Sequence, residues 1–247
     1  GRRASEPEWS HAGDRIVYTT VPIDRLNPSR KLDTVVHLAD PSAPEGARTL
    51  AELPGGGWFS FAFSPDDRSL AFVEFVSAEE SHVWLMDVAT GKRRRLTTPT
   101  RGEPVYYASP LFAPDGKSLF VVSDRGSAYR HVAVIDLATG RERPLAANLK
   151  FDVEALAISA PANRLAFVTN EDGASVLHRI DAETGRPLPV PQLPVGVVGG
   201  LEWHESGREL GVSVSFARSP SDVYSVDFEQ QRVTRWTESE TGGLNAA

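Results

Sequence analysis

Large apolar residues recur along this chain in short runs, separated by turns rich in Pro, Asp, Ser and Gly. Five segments repeat one pattern: WSHAGDRIVY from Trp9, FSPDDRSLAF from Phe63, FAPDGKSLFV from Phe112, ISAPANRLAF from Ile158 and WHESGRELGV from Trp203. Each opens on a bulky apolar residue that is expected to end a strand facing the core. A turn follows, in which Pro65 and Pro114 pre-set a backbone angle and Gly13, Asp67, Gly116 or Gly207 closes it. Seven residues after the anchor stand Ile16, Leu70, Leu119, Leu165 and Leu210, and nine after it Tyr18, Phe72, Val121, Phe167 and Val212. A separation of two puts both on one face of a strand.

A second signature follows the first. Asp87, Asp136 and Asp181 open D-x-x-T-G turns, Asp227 opens the variant DFEQQ, and Asp40 is the expected counterpart in the first unit, displaced by an insertion around Pro28. The runs VWLM, VAVI and VYSV precede these turns, and RRRLT, RERPLA and RVTRWT follow them, which reads as hairpin after hairpin. Helical periodicity is absent over any window of about 12 residues.

Anchors spaced 54, 49, 46 and 45 residues apart match the ~40–50 residues of a four-stranded propeller blade. The expected fold is therefore all-β: a β-propeller of four-stranded antiparallel blades. Five repeat units are visible, near 5–56, 57–105, 106–151, 152–197 and 198–243. A five-bladed ring and part of a seven- or eight-bladed one both fit.

Composition narrows the function. A net charge of −7 argues against a general nucleic-acid binder. The basic run Lys92–Arg95 reads as a solvated strand edge, with a local anion or partner patch as the alternative. The absence of cysteine excludes disulfides, thiol catalysis and cysteine-based zinc sites. It leaves a cytoplasmic or periplasmic location open. No stretch approaches ~20 uninterrupted apolar residues, so no transmembrane helix and no membrane partner are expected. Gly1 follows neither a methionine nor a charged-then-apolar leader, which suggests a removed signal or a fragment.

The blade pattern resembles TolB-type propeller repeats. More narrowly, VSDRGSAYRHVAVIDLATG from Val122, VTNEDGASVLHRIDAETG from Val168 and SFARSPSDVYSVDFEQQRVTRWTESETGGLN from Ser215 resemble the N-terminal propeller of prolyl-oligopeptidase-type (S9) serine peptidases, the acylaminoacyl-peptidase-like and dipeptidyl-peptidase-like group. The resemblance covers nearly the whole chain. It implies a non-catalytic propeller that covers an active site and restricts entry to small peptides. Its implied partners are peptide substrate and a C-terminal α/β-hydrolase domain. That family's chemistry rests on a G-x-S-x-G nucleophile elbow with Asp and His. No G-x-S-x-G occurs here, and no catalytic residue carries over. Glu79 and Glu80 form a pair, but VSAEESHVW does not match the glutamate motif of dipeptidyl peptidases. The alternative is a free-standing TolB-like propeller acting as an interaction module.

Candidate sites remain few. Arg125, Tyr129 and Arg130, beside Asp124, fall on a loop between strands, where arginines suit a peptide carboxylate or pair with neighbouring aspartates. His82, His131 and His178 fall at comparable places in successive units, as repeated strand positions or as a ring binding a metal. The turn aspartates are expected to form Asx turns, one carboxylate per turn being too few for calcium. The run Gly55–Gly57 lacks the lysine of a phosphate loop and reads as a turn before a strand at Trp58–Phe63. No metal and no cofactor are expected.

Overall fold

A computed structural model of the chain describes residues 1–23, 32–98, 102–217, 219–240 and 242–243. The expected insertion around Pro28 lies outside them. The described residues form strands and turns, with no helix among them.

Five antiparallel sheets follow one another, their strands ordered as in the chain. The first holds β1 (Arg2–Ala4), β2 (Glu8–Trp9), β3 (Ile16–Pro22), β4 (Thr34–Asp40) and β5 (Ala43–Leu53). Here β1 and β2 both pair with β3, as Arg2↔Pro22 through Ala4↔Thr20 and then Glu8↔Val17 and Trp9↔Ile16. They are one inner strand interrupted at Ser5–Pro7, where the Ser5 amide donates to the Thr19 carbonyl and Ser5 Oγ accepts the Thr19 amide.

The second sheet is β6 (Trp58–Phe63), β7 (Ser69–Phe75), β8 (Ser81–Asp87) and β9 (Arg93–Arg95). The third is β10 (Tyr107–Phe112), β11 (Ser118–Ser123), β12 (His131–Asp136) and β13 (Glu142–Ala146). The fourth has three strands, β14 (Val153–Ser159), β15 (Arg164–Glu171) and β16 (Ala174–Asp181). The fifth is β17 (Val197–Trp203), β18 (Glu209–Phe216), β19 (Ser219–Asp227) and β20 (Arg232–Arg235). These are the blades of an all-β propeller fold. The chain divides into two compact units, Gly1–Phe120 with Ile135–Arg141, and Val121–Val134 with Glu142–Ala247.

Two blades depart from the expected four strands. The first carries its inner strand in two pieces. The fourth loses its outer strand, keeping only an Ile180↔Pro187 bridge and a bond from the Leu188 amide to the Arg179 carbonyl. Pro187, Pro189, Pro191 and Pro194 explain the loss, because each fixes φ at about −65°, away from the extended angles of an antiparallel ladder.

The repeated face is buried in four units, where Leu70, Leu119, Leu165 and Leu210 are inaccessible, as are Phe72 and Val121; in the first unit Ile16 and Tyr18 are only half-buried and Val17, on the other face, is buried instead. The anchors behave less uniformly. Phe63 and Phe112 are buried, Ile158 and Trp203 are half-buried, and Trp9 is 53% exposed. Cross-strand partners share a face, so Trp9 lies with Ile16 on the side of the first sheet opposite Val17. Val17, with Val36 and Leu38, joins Trp58, Phe63 and Phe72 in the core of the first unit. In the second unit, Val168 and Leu177 pack with Leu210, Val212, Tyr224 and Phe228.

Neighbouring blades within each unit are stitched where the turns of their hairpins meet, at one end of the strands. Asp87 Oδ1 accepts the Thr90 amide and hydroxyl at 2.7 and 2.6 Å. Asp136 and Asp181 repeat this with Thr139 and Thr184. Asp40 binds Ser42, and Asp227 accepts the Glu229 and Gln230 amides. These are the expected Asx turns, and the hydroxyl bond from Thr90 or Thr139 leads the causes that hold Asp87 and Asp136 below the usual carboxylate range. An arginine of the preceding outer strand then donates to each of the three turns closed by threonine. Arg48 bonds the Val88 carbonyl, Arg94 that of Leu137 and Arg143 that of Glu183. Gly91, in the left-handed region at φ +68°, sits so close to the Leu50 carbonyl that a Cβ would lie 2.2 Å from its oxygen; at Gly185 the distance to Leu145 O would be 2.4 Å. At the same end, in the turn between the first two strands, Asp67, left-handed at φ 55°, accepts the His11 and Ala12 amides at 2.8 and 3.0 Å and lies 3.0 Å from His11 Nδ1.

Candidate functional site

The predicted loop joins β11 to β12 in the second unit. Its shape is local: the Ser127 amide donates to the Asp124 carbonyl, and Ser123 Oγ and Ser127 Oγ accept the Arg125 and Tyr129 amides. Arg125 Nε lies 2.8 Å from Glu142 Oε2, a largely buried carboxylate at the start of β13. The guanidinium is thus tied to its own blade, the second of the two readings open in the sequence, although its partner is a glutamate rather than an aspartate. The Arg130 amide donates to Asp152 Oδ1 and its carbonyl accepts the Val153 amide, which joins the loop to the next inner strand. Tyr129 is 42% exposed. The loop brings Arg125, Tyr129 and Arg130 to one end of the blade.

Equivalent loops differ in length. In the second blade residues 76–80 join β7 to β8, and Glu80 Oε1 lies 3.3 Å from His82 Nε2. In the fourth, only Asp172 and Gly173 connect β15 to β16, both left-handed. This tight turn corrects the expected equivalence of three histidines. His82 and His131 each stand five residues before the turn aspartate and are buried. His178 stands three before Asp181 and corresponds to His37, three before Asp40. His37 stacks on Tyr18 with its Nε2 2.9 Å from Thr20 Oγ1; His178 stacks on Phe167 with Nε2 2.8 Å from Thr169 Oγ1. Burial lowers the pKa of both, reinforced at His37 by Arg2 and opposed at His178 by Glu171. These are packed, hydrogen-bonded rings. Among the described residues no group of three or more His, Cys, Asp or Glu side chains is placed to hold a metal ion. Among the described residues no helix is long and apolar enough to cross a membrane. The basic run places Arg93–Arg95 on β9, fully exposed at the blade's outer edge.

One concavity was not foreseen. Beside the incomplete fourth blade lies a cavity of about 340 Å³, lined by Leu145 and Leu149, by Phe167, Leu177 and His178 of the blade, and by Leu188 and Val190 of the proline-rich segment. Arg179 of the same blade also lines it, with its guanidinium 4.4 Å from the centre of the Phe228 ring and its Nε buried without a hydrogen-bond partner among the described residues. The series of prolines was the available signal for this site.

No family model and no curated protein matches the sequence. Solved structures do match. A structure from a study of two prolyl endopeptidases is 17% identical, covers 98% of this chain and has a TM-score of 0.77. Puromycin hydrolase is 20% identical over the full chain, also with a TM-score of 0.77, and TolB from Acinetobacter baumannii is 18% identical over 97% of it with a TM-score of 0.67. This chain spans only 36%, 39% and 56% of those chains, respectively. Contiguous antiparallel blades, Asx-turn hairpins and these likenesses together establish that the chain has the β-propeller fold shared with prolyl endopeptidases, puromycin hydrolase and TolB.

Proposed function

We propose that this chain is the non-catalytic propeller of an S9-type serine peptidase, covering the active site and restricting entry to small peptides. Catalysis in this reading belongs to a C-terminal α/β-hydrolase domain acting by an acyl-enzyme route. The observation that carries it is one of coverage: nearly all of this chain overlays about a third of the peptidase chains, and its blades hold no nucleophile elbow. The Asp124–Arg130 loop, with Tyr129 exposed, is the proposed peptide-contacting element. Reading the gene through the codon for Ala247 tests the proposal. A G-x-S-x-G elbow followed by Asp and His, in a protein that reacts with a fluorophosphonate probe, is the expected result. A stop codon directly after Ala247 refutes it.

A second reading is a TolB-like interaction module, favoured by the likeness to TolB. It predicts that the chain alone captures protein partners.

A further inference from the structure

Four arginines of this chain are matched to carboxylates: Arg125 to Glu142, Arg164 to Asp181, Arg208 to Asp227 and Arg235 to Asp222, at 2.7–2.8 Å. The run Lys92–Arg95 is not. Among the described residues none of its four cations makes an ion pair, and Arg94 Nη2 donates only to the Leu137 carbonyl at 2.9 Å. Asp87, the acid nearest in sequence, is held by Thr90, with Lys92 contributing least. The run is therefore an unneutralised positive edge on a chain of net charge −7. It is also an open edge, since β9 pairs with β8 alone. The Lys92 carbonyl accepts the Asp87 amide and the Leu96 amide donates to the Val83 carbonyl, so Lys92, Arg94 and Leu96 turn their main-chain groups inward. Arg93 and Arg95 turn theirs outward, and both residues are exposed. Arg93 and Arg95 share a face with Met86 and Trp84, toward the first blade; Arg94 shares the other with Leu85, toward the third. On that second face lies a concavity of about 410 Å³, lined by Leu85 and Leu137 and by Lys92 and Arg94.

We propose that the outer edge of β9 accepts an acidic extended segment of a partner protein as a fifth strand of the second blade. Two Glu residues, two apart, exchange main-chain bonds with Arg93 and Arg95 and set their carboxylates against those guanidinium groups. The apolar residue between them, opposite Arg94, reaches the concavity. This is strand addition at a sheet edge, in which main-chain bonds supply affinity and neighbouring side-chain sites supply selectivity. A cationic edge resists pairing with strands of neutral or like charge. The same charges favour an acidic strand, because opposite charges across a ladder attract. The outer strands of the third and fifth blades lack this bias: β13 opens with Glu142, which holds Arg125, and Arg235 of β20 is bound to Asp222. A nucleic acid is the poorer occupant, since its phosphates would meet the negative field of the whole chain.

The probe is acetyl-TELET-amide added to the isotopically labelled chain. Saturable amide shifts centred on Arg93–Arg95 are expected, with slower solvent exchange of the Arg93 and Arg95 amides on binding. Methylating either Glu nitrogen of the peptide should weaken binding about tenfold, by removing a main-chain bond. Replacing both Glu by Gln should weaken it severalfold, and the difference should shrink as salt is raised. Arg93→Gln combined with Arg95→Gln should weaken the peptide to the same degree, yet melt with the parent, since neither side chain holds an ion pair in the fold. A single-stranded oligonucleotide of equal charge should bind more weakly than the peptide. The proposal is overturned if no saturable shift appears at millimolar peptide, if the shifts lie away from β9, if the N-methylated peptide binds as well as its parent, or if the oligonucleotide binds as well as the peptide.

Discussion

The outer edges of the second and fourth blades begin from the same turn and end differently. After Asp87 the chain runs KRRRLT, pairs along β8 as β9, and satisfies Val83 on both sides. After Asp181 it runs RPLPVP, pairs once, and leaves. The second strands, β7 and β15, are equally buried at Leu70–Val73 and Leu165–Val168, so the core does not decide whether the outer strand forms. Backbone shape decides it. An outer strand packs on one side only and depends on its ladder and on polar ties, and the fixed φ of proline, about −65°, turns the chain away from the extended angles a ladder needs.

The comparison can be broken most severely at the fifth blade, whose outer strand is tied by a carboxylate. Asp222 is inaccessible and accepts Arg235 Nη2 at 2.7 Å, the Ser239 amide at 2.8 Å and the Thr237 hydroxyl at 3.2 Å. Asp222→Ala should cost about 3–5 kcal/mol, because it strands these donors. Urea melts would show the loss, and amide exchange should show β20 released, so that the fifth blade comes to resemble the fourth.

Gly91→Ala is expected to cost about 2–4 kcal/mol, combining a left-handed backbone with overlap on the Leu50 carbonyl. Gly140→Ala meets the Leu96 carbonyl only at 3.9 Å, so it should lose about 1 kcal/mol, the conformational cost alone. Equal melting temperatures for the two variants would show that the stitching does not depend on this close approach.

Asp67→Asn sharpens the contrast by weakening the turn between the first two strands instead. Burial alone would raise the Asp67 carboxyl, but the bonds from His11 and Ala12 outweigh it and hold the group below its usual value. A depressed folded pKa contributes stability that is present above about pH 4 and lost as pH falls through the folded value. The variant should therefore be about 1–2 kcal/mol less stable than the parent at pH 7, converging on it in acid. A gap that stays constant down to pH 2 would rule out the carboxylate as its source. Smallest of all, Arg94→Ala should cost about 0.5–1 kcal/mol, since its bond to the Leu137 carbonyl is solvent-exposed. Thermal denaturation in matched buffers resolves an effect of that size.

The blades were legible because their determinants are short-range. A bulky anchor, a turn and an apolar pair at seven and nine residues specify a hairpin, and the D-x-x-T-G turns close on themselves through Thr90, Thr139 and Thr184. Two matters were not legible. Counting from the anchors aligned His178 with His82 and His131, because the two-residue Asp172–Gly173 turn shortens that hairpin and moves its register. The edge of the fourth blade was hidden for another reason. Four prolines announce a break, but the cavity beside it exists only once β16 is laid against β15. The Arg125–Glu142 pair likewise depends on a strand that begins 17 residues farther along.

Among the described residues every sheet is assembled from strands contiguous in the chain, with none borrowed from another blade. This has a kinetic consequence. Hairpins between adjacent strands close over short loops, so each blade can gather as its residues emerge from the ribosome, before its neighbour exists. Rescue from partial unfolding should likewise proceed blade by blade, with the slow step in the docking of finished sheets rather than in the search for strand partners.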